Sequence, residues 1–278
     1  MRSDTVRRIA GFYALTILFS WSYWGWMIAT GRRYAEGHGT SHLPGLVGPM
    51  AAAIVLTLVI GGKRGLRAFA LRSLALPSPV IPAIGVAVSP LIALLAVVGV
   101  MAASGQQLPR FSAYLAYPGV PASASVLVTV PMALLLNGFG EEAGWRGYLL
   151  DSLETTVGRF RATLVLIPLW LVWHIPLFVV NQNMTSLVGP TLVFWAIGLA
   201  LGAFVLSHVY FTFGRSILMV ALWHTSYNFA VSTSATSGTV AAIISTIVMF
   251  WGAIVAWSWA RQDQRQQGGN TRRVQSDA

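Results

Sequence analysis

Two adjacent glutamates, Glu141 and Glu142, lie inside the apolar run LLLNGFGEEAGWRGYLL, with Arg146 one turn further on. Two histidines have equally apolar surroundings. His174 stands in LWLVWHIPLF, and His224 stands in ALWHTSYNFA with Asn228 four residues later. A charged group at mid-bilayer costs at least ~2.5–3.5 kcal/mol, and it is kept where it pairs, faces water or does chemistry. Glu142 and Arg146 share a helix face at i,i+4 and can pair. Glu141 points about 100° away and has no partner on its own helix, which makes it the candidate general base. His224 and Asn228 share one helix face. Together these residues supply a base, two imidazoles and an amide donor, the parts that activate water and stabilise an oxyanion. Each also has an ordinary structural use. His174 can bond a backbone carbonyl in a core, and His224 with Asn228 can join helices by hydrogen bonds. His208, near the end of its apolar segment, is read as structural.

The chemistry is narrowed by what is missing. No Asp lies within an apolar helix, so no Ser–His–Asp set is expected, and HExxH is absent. The chain has no Cys, which excludes disulfides, thiolate metal sites and a Cys nucleophile. Water is then the expected nucleophile, and no cofactor is expected. A zinc-dependent version stands as the alternative, because Glu141, His174 and His224 match the His₂Glu ligand set of some catalytic zinc sites. Gly138, Gly140 and Gly144 follow no strand, so they are read as points of close helix approach rather than a dinucleotide loop. Gly198 and Gly202 form GxxxG and are likewise read as packing.

The elements that must position these residues are membrane helices. Of 278 residues, 55% are hydrophobic and 9% charged, with mean hydropathy +0.67. Soluble domains carry about 25% charged residues, so a soluble enzyme and a disordered chain are both excluded. Apolar segments fall at roughly 9–30, 46–62, 80–103, 124–147, 162–180, 190–212, 217–233 and 239–260, each near the ~20 residues that a membrane span needs. The expected fold class is therefore all-α, a polytopic bundle of about eight transmembrane helices. Residues 1–260 form a single domain with the motifs at about 124–233, and residues 261–278 form a polar, disordered tail. The first segment is too long and too rich in Trp and Tyr for a signal core, so it is expected to be retained.

Charge sets the orientation. With the N-terminus inside, the inner segments hold fifteen Lys and Arg and the outer loops hold Arg32, Arg33 and Arg110. Both termini are therefore expected in the cytoplasm. The net charge of +10 is read as topology signal beside anionic lipid, with no nucleic-acid partner. Glu141 and His224 then come to similar depth in the inner half of the bilayer, with His174 deeper, beside an expected polar cavity that admits water.

At these residues the chain resembles the CPBP or Abi intramembrane proteases, which are related to the type II CAAX prenyl endopeptidase. Glu141-Glu142-Ala143-Gly144-Trp145-Arg146 matches the family's EExxxR in full. Trp170-Leu171-Val172-Trp173-His174 matches FxxxH with Trp in place of Phe, and His224-Thr225-Ser226-Tyr227-Asn228 matches HxxxN. The resemblance implies a membrane endopeptidase acting on a peptide or membrane-protein substrate. Glu141 and His174 would hold and deprotonate water, His224 and Asn228 would bind the oxyanion, and Glu142 and Arg146 would support the helix. It favours metal-free catalysis, although the family has also been described as metal-dependent. The Trp170 departure is expected to change pocket shape rather than chemistry. The rival readings are a proton-coupled transporter, which also uses intramembrane Glu, Arg and His, and a non-catalytic scaffold or immunity protein. Neither oligomeric state nor cleavage site follows from the sequence.

Overall fold

A computed structural model describes residues 3–35 and 38–276 of the chain. Arg2, Glu36 and Asp277 lie outside the described residues. Helix α1 spans Ser3–Ala29, a two-residue hairpin pairs β1 (Tyr34–Ala35) with β2 (His38–Gly39), and α2 spans Leu43–Leu46. Then come α3 (Gly48–Leu74), α4 (Val80–Ala87), α5 (Ser89–Ala103) and α6 (Phe111–Tyr114). The motif region begins with α7 (Val126–Met132) and runs through a π-helical stretch, Ala133–Phe139, into α8 (Gly140–Gly144). A second π-helical stretch, Trp145–Leu150, leads into α9 (Asp151–Trp173). Short helices α10 (Leu177–Val180) and α11 (Gln182–Thr185) precede α12 (Pro190–Thr212), α13 (Ile217–Ser232) and α14 (Thr239–Ser276). Helix α14 carries on past Arg261 into the polar segment set apart above as a tail.

The protein is an all-α, multi-pass membrane bundle. Among the described residues, four helical stretches are long and apolar enough to cross a membrane, or five if the bent pair α4–α5 is one span, against the eight segments expected. Part of the gap is physical. Helix α13 has only 16 residues, and the expected segments 124–147 and 162–180 fall in one continuous 55-residue stretch, Val126–Val180. That stretch folds back on itself at Gly158, which sits at φ 79°, a left-handed value that favours glycine. Trp170 and Glu141 are in contact although 29 residues apart, which a straight helix would hold about 43 Å apart.

The chain returns repeatedly to two ends. At one end Asp151 is bonded by Arg72 at 2.6 Å and Arg215 at 2.5 Å, while Glu154 takes Arg215 at 2.9 Å and Arg159 at 3.5 Å. Arg161 pairs with Asp263 at 3.2 Å at the same end, and Arg8 lines a cavity there with Arg72 and Asp151. Arginines that were counted as topology signals thus also cross-link elements distant in sequence. Arg215 is held between two carboxylates at φ 60°, a value unusual for a residue with a side chain. At the other end Tyr34 bridges to Asn181, Asn181 Nδ2 bonds His42 at 3.1 Å, and the Ala235 N–H donates to Ala113.

Close backbone approach brings the motif helix against its neighbours. A Cβ on Gly140 would come within 3.0 Å of the Leu46 carbonyl, and one on Gly144 would collide with the backbone of Pro49. Both glycines bear out the packing reading. The GxxxG expectation is corrected in part. Gly202 has open space around it, and the tight α12–α14 approach is made by Gly252 against Leu201 instead. A small residue was needed on the opposite helix from the one that the motif suggested.

Candidate active site

The three motifs meet. Glu142 is fully buried, and its Oε1 accepts from Arg146 Nη1 at 2.9 Å and from His224 Nδ1 at 2.6 Å. The expected i,i+4 pair therefore forms, and it also reaches across to α13. Burying such a pair is costly unless its partners satisfy it. Here His224 supplies the second bond to Oε1, while among the described residues Glu142 Oε2 and Arg146 Nε and Nη2 have no hydrogen-bond partner. The face of the Trp170 ring covers the guanidinium at 4.4 Å.

Glu141, 3% exposed, accepts at Oε2 from the indole Nε1 of Trp170 at 2.9 Å. It has no partner on its own helix, as its direction implied, but it has one on α9. Trp170 was expected to change only packing, and here the geometry corrects the sequence reading. The residue supplies a donor that Phe lacks.

His174 was placed deep inside a helix over 162–180. In the structure α9 ends at Trp173 and His174 caps it, because Pro176 cannot continue the helical ladder. Its Nδ1 lies 2.6 Å from the Trp170 carbonyl. A carbonyl only accepts, so Nδ1 carries the proton and Nε2 is left as the free lone pair. The same logic applies to His224, whose Nδ1 donates to the Glu142 carboxylate and whose Nε2 is then open. Trp173 and Trp195 pack against the His174 ring at 4.8 and 5.4 Å.

Trp170 is the common neighbour. Its ring lies 5.5 Å from that of His174 and 6.1 Å from that of His224, and its N–H reaches Glu141. Among the described residues, no hydrogen bond joins Glu141 directly to either histidine. Nor does any group of three His, Asp or Glu side chains converge as a metal-holding set, the Glu141, His174 and His224 combination included.

Asn228 was expected on the face of His224 as an oxyanion donor. Its Nδ2 donates to Asn137 Oδ1 at 3.0 Å and to the Tyr117 hydroxyl at 3.3 Å. Sequence reasoning named neither partner. Asn137 had a signal, since it is a polar residue four positions before Glu141 in the same apolar run. Tyr117 had none, because it comes from the loop between α6 and α7. His208, read as structural, stacks edge-on with Trp251 at 6.2 Å and lines a separate 210 Å³ cavity with it. A larger cavity of about 350 Å³ lies beside Gly147, Tyr148 and Asp151, and Glu141, His174 and His224 do not line it.

Fold and site together define a helical membrane protein in which buried Glu141, Glu142, Arg146, His174 and His224 lie with a half-buried Asn228. Residues 123–230 match the family model for type II CAAX prenyl endopeptidase Rce1-like proteins, a segment that carries every motif residue named above. The chain is also similar to CAAX prenyl protease 2 of Methanococcus maripaludis, at 43% identity over 56 residues. That alignment covers 20% of this chain and 21% of the relative, about a fifth of each. The motif-bearing region is thus similar to the type II CAAX prenyl endopeptidases, and the chain spans about a fifth of the length of the relative that it matches.

Proposed function

We propose that the protein is an intramembrane endopeptidase that hydrolyses a peptide bond with a water held between Glu141 and His174. Glu141 Oε1 and His174 Nε2 are the two acceptors left free by their other bonds, and a water between them can lose a proton to the carboxylate as it attacks the carbonyl carbon. The negative charge then develops on the carbonyl oxygen. His224 faces it through Nε2 and needs a proton there to donate. Its bond to Glu142 stabilises that charged form. Asn228 contributes by turning an N–H from Tyr117, the longer of its two bonds, to the oxyanion. The proton on Glu141 passes to the leaving amine as the C–N bond breaks.

The observation that carries this reading is the pair of Nδ1 bonds. Each imidazole commits Nδ1 to a protein acceptor and so turns Nε2 outward, as an acceptor on His174 and, once protonated, as a donor on His224, and both rings lie beside Trp170, which holds Glu141. Metal-dependent hydrolysis would need Glu141, His174 and His224 to converge, and their arrangement does not fit that demand. The reading adopted is the metal-free one, with Glu141 rather than a metal ion activating the water. By the charge count, both termini and the arginine-rich end face the cytoplasm of a cell membrane.

The test is endoproteolysis by protein reconstituted in vesicles. The probe is a peptide library with unmodified and farnesylated members, because the relative bears the name of a prenyl protease. Glu141→Gln is expected to lower kcat by about 10²–10⁴ on the peptides that wild type cleaves. Equal cleavage by both forms sinks the assignment. Cleavage confined to farnesylated members would extend it to prenylated substrates.

A further inference from the structure

We propose that Trp170 is a positioning residue of this site, its indole N–H orienting Glu141 so that the other carboxylate oxygen faces the attacking water. The proposal rests on Glu141 being the base. Three contacts converge on this one side chain and its backbone: the N–H on Glu141 Oε2 at 2.9 Å, the ring face on Arg146 at 4.4 Å, and the carbonyl on His174 Nδ1 at 2.6 Å. Residues of the first motif are thus referenced to the second motif, whose own His174 the same residue holds.

The indole bond is not a by-product of burying tryptophans. Trp145 and Trp223 are also buried, and among the described residues their indole nitrogens have no partner. Trp21, Trp24 and Trp173 donate to neutral oxygens, of Trp173, His42 and Ser20. Among the described residues, Trp170 is the indole that donates to a carboxylate. A carboxylate offers about four lone-pair directions. One taken on Oε2 restricts rotation about the terminal bond and leaves Oε1 for water. The family pattern has Phe here, which keeps a ring over Arg146 but has no donor. Trp170→Phe therefore removes the orienting bond and spares most of the packing.

The experiment uses full-length protein in vesicles or micelles, with Trp170→Phe, Glu141→Gln and Glu141→Ala. In steady-state cleavage of a peptide that wild type accepts, Trp170→Phe is expected to lower kcat about 10- to 100-fold while KM stays within about twofold, since only an orienting bond to a charged group is lost. In ¹⁵N-indole spectra the resonance missing from Trp170→Phe identifies Trp170. It is expected to lie downfield in wild type and to move upfield in Glu141→Ala. Wild-type kcat in Trp170→Phe overturns the proposal, as does an indole resonance that ignores Glu141→Ala. Full activity in Glu141→Gln removes the base reading and this role with it. Loss of activity in Glu141→Gln, together with wild-type kcat in Trp170→Phe, removes this role alone.

Discussion

Glu142→Gln separates two neighbouring carboxylates that a sequence motif presents as equals. Glu142 is completely buried, and it answers the charge of Arg146, which is completely buried too. Glutamine keeps the shape and an oxygen toward Nη1 and His224, but it leaves the guanidinium without a counter-ion. Among the described residues Arg146 Nε and Nη2 have no partner, and Glu142 is the carboxylate bonded to the guanidinium. Breaking a buried pair by removing one charge costs about 3–5 kcal/mol. At roughly 2–4 °C per kcal/mol for a chain of this size, the thermal midpoint in detergent should fall by about 10 °C. Glu141→Gln should behave differently. Its one protein bond comes from a neutral indole, and glutamine retains an acceptor for it. Its midpoint should stay within about 2 °C of wild type while activity is lost. Differential scanning fluorimetry of the three proteins in one micelle decides the matter. If Glu142→Gln melts with wild type, or if Glu141→Gln falls as far, the division into a structural and a reactive carboxylate is wrong.

Chelators should leave peptide cleavage unchanged. Incubation with 1,10-phenanthroline, followed by the activity assay and metal analysis of the untreated protein, checks this, and loss of activity restored by added zinc would count against the metal-free mechanism. His42, in the loop between β2 and α2, is buried against Tyr34 and Asn181, and desolvation holds it down at about 4 from its ordinary 6.5. The folded protein therefore resists a proton that the unfolded chain accepts below about pH 6.5. Stability is intact above that value and is lost as pH falls toward 4, by up to about 3 kcal/mol. The drop in thermal midpoint from pH 7 to pH 4.5 should be smaller in His42→Gln than in wild type, and an equal drop would refute the argument.

Much of the site was legible before any coordinates. Glu141, Glu142, Arg146, His174, His224 and Asn228 stand out because the price of a polar group in an apolar helix leaves few idle ones. The i,i+4 geometry of Glu142 and Arg146 needs only helical periodicity, so that pair was readable from spacing. Trp170 was misjudged for a related reason. A tryptophan among leucines looks like filler, and whether its N–H points at a carboxylate depends on a helix folded back at Gly158. Length and apolarity alone do not confirm the count of eight, because hydropathy locates apolar runs without reporting where a continuous helix bends or stops short.

The sequence by itself determined that this chain is a helical membrane bundle with its polar motif residues on three apolar segments. Composition and the energy of burying charge are local properties, summed residue by residue. The tertiary structure decided that Glu142 also bonds His224 and so leaves that imidazole's Nε2 open, that Trp170 donates to Glu141, and which residues occupy the Asn228 amide. Those outcomes depend on contacts between residues 29 to 111 positions apart. Their geometry is set by how the helices pack, and no spacing within one helix encodes it.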